Sequence, residues 1–573
     1  METGHLQNSN TDSNELDAPS GDLEPDGSET SKPRLDRTVF GATAAVIAAF
    51  VAWGIISPGT MRSVTTDAME WVTVNVGWLY IAAASGFVVF ALVIAFTRYG
   101  RIPLGRDGEQ PEYRTISWIA MMFAAGMGIG LMFFGAYEPL LHYLQEPPGT
   151  NLKAPPGTFA NHLPAAMATT MFHWGFHPWA MYAVVGMALG YSTYRMGRGQ
   201  LLSAAFAPLL GTRRANGPAG KVIDGLAIFA TLFGTVASLG LGALQIGSGL
   251  EAVEWVSNPS KMLLVAIIAV LTACFVASAV SGVAKGIQWL SNTNMVLALV
   301  LAVFVFVVGP TVFLLNVMPT TLGAYFDQIM AIAARSSATV DEAGQKWLAA
   351  QTIFYWAWWV SWTPFVGMFL AKISKGRTIR EFVVGVMVVP TTVSLVWFSI
   401  FGGTAIRQEN EGANYRVGSP GDEEALLFQV LEHLPWTGFA SLLVMVLVAI
   451  FFVSGADSAS LVMGTLSQRG AHEPSRLVTV FWGVLTGGVA ILLLLVGGGD
   501  AGSADALTGV KQMAILAALP FVIVMIALCV SFVRDIRRDP LIRRRGERIA
   551  ASRLDEEDDD QPDGAEPAST PAG

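Results

Sequence analysis

The sequence predicts an all-α polytopic membrane protein with twelve transmembrane helices, and three observations predict it. Apolar runs of about 20 residues recur along the chain, each long enough to cross a bilayer core of roughly 30 Å. Of 573 residues, 53% are hydrophobic and only 14% charged, too few charges to cover a soluble protein of this size. The basic residues then fall unevenly between alternate connections, as they do when one side of a membrane faces the cytoplasm.

The spans are expected near residues 39–57, 78–97, 116–141, 165–191, 223–254, 262–283, 290–317, 349–372, 382–404, 437–462, 477–497 and 512–533. With the N-terminus cytoplasmic, the outer connections hold only eight of the 35 Lys and Arg residues: Arg62, Lys153, Lys261, Arg335, Lys346, Arg407, Arg416 and Lys511. The other 27 lie inside and none is stranded in lipid, so both termini are placed in the cytoplasm of a multi-pass inner-membrane protein. Residues 319–336 space Leu322, Tyr325, Phe326, Ile329, Met330 and Ile332 as a short amphipathic helix lying at the outer surface. Residues 284–292 form a similar stretch on the inner side.

Three domains follow. Residues 1–37 are a polar, acidic tail without a cleavable signal, residues 38–533 the membrane domain, and residues 534–573 a charged tail, basic and then acidic. The net charge of −9 arises mostly in the tails and names no nucleic-acid partner. The last tail reads either as a solvated, self-neutralising end or as an arm sensing membrane charge, and composition favours the first. Cys274 and Cys529 both sit in apolar runs and read as packed thiols.

Two spans carry helix breakers. The third contains Gly126-Met-Gly-Ile-Gly130, and the eighth contains Trp362-Thr-Pro364-Phe-Val-Gly367. Glycine frees the backbone and proline removes an N–H, so both helices are expected to open, which is tolerated at membrane depth only around a cavity or within protein. The two breaks open corresponding five-helix units, spans 3–7 (about 116–317) and spans 8–12 (about 349–533). Five being odd, the units have opposite topology, as in secondary transporters with a midplane site.

Aromatic residues crowd the fourth and eighth spans, in Met171-Phe-His-Trp174-Gly-Phe-His-Pro-Trp179-Ala-Met-Tyr182 and Phe354-Tyr-Trp356-Ala-Trp358-Trp359-Val-Ser-Trp362. An interfacial belt would put them at span ends. Clustered near mid-span, they offer negative π-faces to a cation that cannot hydrogen-bond, such as a trimethylammonium group. A ligand carboxylate would meet backbone N–H groups at the break around Met127 and Gly128. Pro178 cannot bond the carbonyl of Trp174, which loosens the helix and lets Trp174 turn inward. His173 and His177 read as packed or hydrogen-bonded histidines. No metal constellation, phosphate loop or nucleophile triad is visible, so neither an enzyme nor an ATP-driven pump is expected. Neither tail suits a signalling domain, against a receptor, and the aromatic box suggests occlusion, against a channel.

The segments AAGMGIGLMFFG, MFHWGFHPWAMY, FYWAWWVSWTPFVGMFLAKISKGRTIREF and FFVSGADSAS resemble the betaine–choline–carnitine transporter family, most of all its sodium-coupled glycine betaine carriers, from about Phe40 to Ile536. The resemblance implies a LeuT-like core of two inverted repeats behind two extra N-terminal helices. It also implies a homotrimer, sodium as coupling ion, no other cofactor, and betaine uptake under osmotic stress. It puts the aromatic box on Trp174, Trp179, Tyr182 and Trp359, with Trp362 on the route. One sodium site falls on Ala124, Met127, Phe451 and Ser454, the other on Thr231, Thr235 and Phe365. The family's sodium-coupled members usually carry Thr-Ser where this chain has Ser454-Gly455, so one hydroxyl is missing. The alternative within the class is a carrier or exchanger for carnitine, ectoine or proline with different ion coupling. Asp457 is the one acid placed to draw an uncompensated cation, and it reads as locally hydrogen-bonded.

Overall fold

The computed structural model describes residues 34–126, 128–148, 159–281, 284–419, 421–497 and 504–543; most of each tail, residues 1–33 and 544–573, lies outside them. Among the described residues the fold is helical, with one isolated bridge between Pro103 and Thr378 where two connections meet. In chain order the helices are α1 (Arg37–Ile56), α2 (Pro58–Asn75), α3 (Gly77–Phe96), α4 (Thr115–Gly126), α5 (Ile129–Phe134), α6 (Tyr137–Leu144), α7 (Phe159–Trp174) and α8 (Phe176–Gly190). Two short turns, α9 (Ala207–Leu210) and α10 (Thr212–Ala215), precede the long α11 (Pro218–Ala252), α12 (Lys261–Ser281), α13 (Ala284–Val308) and α14 (Thr311–Ala333). The rest are α15 (Glu342–Leu348), α16 (Phe354–Ile373), α17 (Ile379–Asn410), α18 (Asp422–Glu432), α19 (Thr437–Ser467), α20 (Arg476–Gly497) and α21 (Ala504–Ile536).

Eight described helices are long and apolar enough to cross a bilayer unaided, and a ninth crossing is the first arm of a helix pair bent by 113°. The remaining three crossings are the third, fourth and eighth spans. The third is split into α4, α5 and α6 and the fourth into α7 and α8, so no single helix carries the required length. The eighth, α16, is whole but rich in indole, hydroxyl and proline. These three supply the aromatic cavity.

Several expectations are corrected. The seventh span ends at Val308, because Gly309-Pro310 turns the chain, and the outer helix begins at Thr311 with Pro319 inside it. The inner stretch 284–292 is the first part of α13, not a separate surface helix. α2 had no counterpart in the sequence reading; its polar residues hid a helix that buries Met61 and Val72. The eighth span does not open: α16 runs continuously through Pro364. The carbonyl of Val360 that the proline leaves without a backbone donor accepts instead from the Thr363 hydroxyl at 2.7 Å. An opening lies instead in the fourth span at Gly175, between α7 and α8, close to the proline expected to loosen it.

The two-repeat organisation is visible in the packing. Spans 3–7 and 8–12 exchange onto each other in order. α11 packs on α19, α12 on α20 and α8 on α17, each helix against its own counterpart. The contact of α11 with α20 is matched by α12 with α19, that of α11 with α21 by α13 with α19, and that of α8 with α21 by α13 with α17. Packing that survives exchange of the halves fits units of opposite topology related by a two-fold in the membrane plane.

Small residues set the closest approaches, as expected where lipid removes the hydrophobic drive. A Cβ added to Gly385 on α17 would lie 2.2 Å from the ring of Trp118 on α4. That ring cannot retreat easily: its N–H donates to Ser374 Oγ at 2.9 Å, and the Arg377 guanidinium lies 3.9 Å from its centroid. Overpacking of this kind costs about 1–3 kcal/mol against a gain of about 1 kcal/mol in helix propensity. Gly385→Ala is therefore expected to lower the melting temperature of the detergent-solubilised protein. An equal or higher melting temperature would show that Trp118 moves.

Candidate functional site

The break in the third span puts backbone at the centre of the bundle. α4 ends at Gly126, and Gly128 is extended at φ −163°, ψ −179° before α5 restarts at Ile129. Across from it, α7 ends at Trp174, Gly175 turns the chain, and α8 begins at Phe176. α14 secures this joint: the Phe176 N–H donates to the Tyr325 hydroxyl at 3.0 Å.

Between these breaks and α16 lies a cavity of about 50 Å³, several times the ~10–15 Å³ one water needs by the same measure. Trp174, Trp179, Tyr182, Trp359, Trp362 and Gly128 all line it, so the structure brings together every expected substrate residue except Met127, which lies outside the described residues. The rings form a box. Trp174 meets Trp359 edge-on at 4.9 Å, and Trp179 meets Tyr182 edge-on at 5.3 Å. Tyr182 meets Trp359 at 6.5 Å and 80°, joining the two pairs. Sequence reasoning left out Trp358, which stacks on Trp359 at 4.7 Å and 15°, and also Pro178, Ser238, Val366 and Ser394 on the wall. Among the described residues no side chain in the lining is charged. Gly130 is there to leave space: a Cβ would lie 2.7 Å from both Trp174 and Trp358.

The expected sodium residues divide. α11 and α16 approach where a Cβ on Gly234 would lie 2.3 Å from Ser361 and 2.7 Å from Trp362, one turn before Phe365. On that stretch of α11, Thr235 Oγ1 donates to the Thr231 carbonyl at 2.7 Å, as helix threonines commonly do. Thr231 Oγ1, on a residue 1% exposed, has no partner among the described residues. Phe365 is half-buried beside Trp362. Of the other set, Ser454 Oγ donates to the Phe451 carbonyl at 3.4 Å, while the side chains of Ala124 and Met127 lie outside the described residues. A Cβ on Gly455 would meet nothing within 4 Å. Asp457 is buried with Ser278 Oγ donating to it at 3.4 Å, and it does not line the cavity.

Behind Trp174 stands a group the sequence reading passed over. Glu138 of α6 is fully buried, and its carboxylate sits against His173 Nδ1 at 2.6 Å and His142 Nε2 at 3.3 Å. Glu138, His142 and His173 bring one ligand atom each within 4.8 Å of one another, so the expectation of no metal constellation is corrected in its geometry. The reason it was missed is tertiary: a helical pair four residues apart meets a histidine 35 residues on. The same atoms are hydrogen-bonded to each other, and the second nitrogen of His173 is paired with Thr352 Oγ1 at 3.0 Å. The cluster is therefore a hydrogen-bond network with one open end, since among the described residues His142 Nδ1 is buried without a partner. His177 lies apart from it, its ring stacked on Trp356 at 5.2 Å.

A family model described as the betaine/carnitine/choline family transporter matches residues 38–541. The chain is 45% identical to the betaine/ectoine transporter LcoP of Corynebacterium glutamicum over 94% of its own length and 85% of that protein. It is 41% identical to the glycine betaine transporter OpuD of Bacillus subtilis, covering 89% of this chain and 96% of OpuD. Against glycine betaine transporter 1 of Vibrio parahaemolyticus the identity is 39%, over 87% and 94% of the two chains.

Proposed function

The chain belongs to the betaine/carnitine/choline transporter family, whose members are transporters and not enzymes, and we propose that it takes up glycine betaine by sodium symport. One observation carries the substrate class: a cavity walled by aromatic rings with no charged side chain in its lining. Such walls attract a quaternary ammonium through the ring quadrupole, which contributes on the order of 2 kcal/mol per desolvated contact. A zwitterion fits because it brings its own counter-charge. Its carboxylate faces the opened backbone at Gly128 and the Trp362 indole N–H, which is buried without a protein partner. Choline, lacking the carboxylate, leaves those donors unpaired.

Sodium coupling is supported by the unpaired Thr231 hydroxyl beside Thr235, since a hard cation takes oxygen ligands. The distribution of Lys and Arg fits cytoplasmic termini in the cell membrane, and the family likeness implies a homotrimer serving osmotic stress. LcoP is named a betaine/ectoine transporter, so ectoine is the second substrate to test.

The deciding measurement is uptake of radiolabelled betaine into proteoliposomes with an inward sodium gradient, with potassium in its place, and with competing ectoine, carnitine, proline or choline. Accumulation that requires sodium and resists choline is expected. Equal uptake in potassium would turn the reading to a sodium-independent carrier or exchanger, and equal uptake of choline would remove the zwitterion.

A further inference from the structure

The cavity proposed to take a cation has no charged wall among the described residues, yet a carboxylate stands one indole away. Trp174 lines the cavity, and its Nε1–H donates to Glu138 Oε2 at 2.5 Å. An indole N–H can only donate, so this oxygen is an acceptor. The other oxygen receives the two imidazoles already described. The network then reaches a second ring: Trp359 Nε1 donates to the backbone carbonyl of His173 at 3.0 Å. One buried acid thus fixes Trp174 directly and Trp359 through His173. Among the described residues Glu138 forms no ion pair with a lysine or arginine; its ion-pair partners are the two histidines alone. An ionisable side chain at this depth is costly, and such residues serve function far more often than packing.

We propose that Glu138 is a positioning residue that sets the affinity of the cavity for quaternary ammonium, with its charge relayed through the Trp174 indole. This rests on the reading of the aromatic cavity as the substrate site. A charge-assisted hydrogen bond is about twice as strong as a neutral one, and it draws the N–H dipole toward the carboxylate. That leaves more electron density on the ring that meets the cation, and the attraction of a ring for a cation is electrostatic. The carboxylate thus acts on the cation through this ring and not by direct contact. It does so without entering the lining, where it would compete with the ligand's own carboxylate. The chemistry suits a substrate group that has no N–H to donate: the acid raises the field of the box and never needs to touch its occupant.

The test is a double-mutant cycle in the full-length protein, with betaine half-saturation and maximal rate read in proteoliposomes. Glu138→Gln keeps the shape and an acceptor oxygen but removes the charge. It is expected to raise the betaine concentration for half-maximal uptake roughly 5- to 20-fold, with the maximal rate within about twofold. In a Trp174→Phe background, which has no indole N–H, the same change is expected to act by less than about twofold. Equal effects in the two backgrounds would mean that Glu138 only packs, and no effect in the Trp174 background would equally overturn the inference. If Glu138→Gln is not recovered folded, Glu138→Asp replaces it. The shorter acid keeps its charge but recedes from the indole, so a rise confined to the Trp174 background supports the relay and equal rises defeat it. Trp359→Leu separates the two levels. If it leaves betaine affinity unchanged, the cavity is not the substrate site; if it weakens betaine while Glu138→Gln does not, only the role of Glu138 falls.

Discussion

Replacing Trp359 by leucine is expected to raise the betaine concentration for half-maximal uptake roughly 5- to 30-fold, the equivalent of about 1–2 kcal/mol. The ring does three things that leucine cannot. It presents a π-face to the cavity, it takes the edge of Trp174 at 4.9 Å, and its N–H satisfies the His173 carbonyl. Losing the first removes one cation–π contact outright. Losing the second lets Trp174 rotate, while the third leaves a buried carbonyl unpaired, itself a cost of about 1–3 kcal/mol. The last term falls on the empty and the occupied protein alike, so it lowers thermal stability without changing affinity. The expected signature is therefore a raised half-saturation together with a lowered melting temperature. Trp179→Leu removes a face but no described hydrogen bond, and its ring touches only Tyr182 within the box. It should show the affinity loss with less of the stability loss. Unchanged uptake kinetics in both variants would remove the aromatic box from the mechanism.

The box was legible in the sequence because indoles clustered at mid-span have few other uses, and because Pro178 announces the joint that turns Trp174 inward. The spans were legible because a bilayer demands length and hydropathy, and both are local properties. What was not legible is what depends on another helix. Glu138 closed the third span as an ordinary acid near a boundary, and nothing near it in the chain points to His173 or Trp174. Pro364 looked like a break because the compensating hydrogen bond, from Thr363 to Val360, is invisible to composition. The reverse holds at Gly175, where a modest sequence signal becomes a true interruption because Tyr325, on a helix 150 residues away, receives the freed Phe176 N–H. α2 escaped notice because its surface is half polar, while its partners include the distant α20 and α21 as well as its neighbours α1 and α3.

The ion sites yield the last expectation, and its strength comes from what each threonine does without sodium. Thr235 spends its proton on the Thr231 carbonyl, and its oxygen keeps lone pairs for a cation. Among the described residues Thr231 has no partner for its hydroxyl, and leaving such a group buried and unsatisfied costs about 1–3 kcal/mol. Under the proposed sodium coupling, the ion would offset that cost by taking the oxygen as a ligand. Thr231→Ala should accordingly do two opposite things. It should raise the melting temperature of the sodium-free protein, since the orphan group is gone. It should also raise the sodium concentration for half-maximal betaine uptake, by roughly tenfold for about 1.4 kcal/mol of lost coordination. Thr235→Ala is expected to raise the sodium requirement without the gain in stability. At the other set, Gly455→Ser adds the hydroxyl that the family pattern supplies, into space where a Cβ meets nothing within 4 Å. That variant should lower the sodium requirement, because an under-coordinated hard cation gains an oxygen. Linkage adds a check that needs no variant: the factor by which betaine tightens sodium must equal the factor by which sodium tightens betaine. Uptake against sodium at fixed betaine, with potassium as replacement, measures the first effects, and thermal melts with and without sodium measure the second. Sodium dependence untouched by all three substitutions would place the coupling ion elsewhere, and transport at full rate in potassium would mean that the carrier has no such ion.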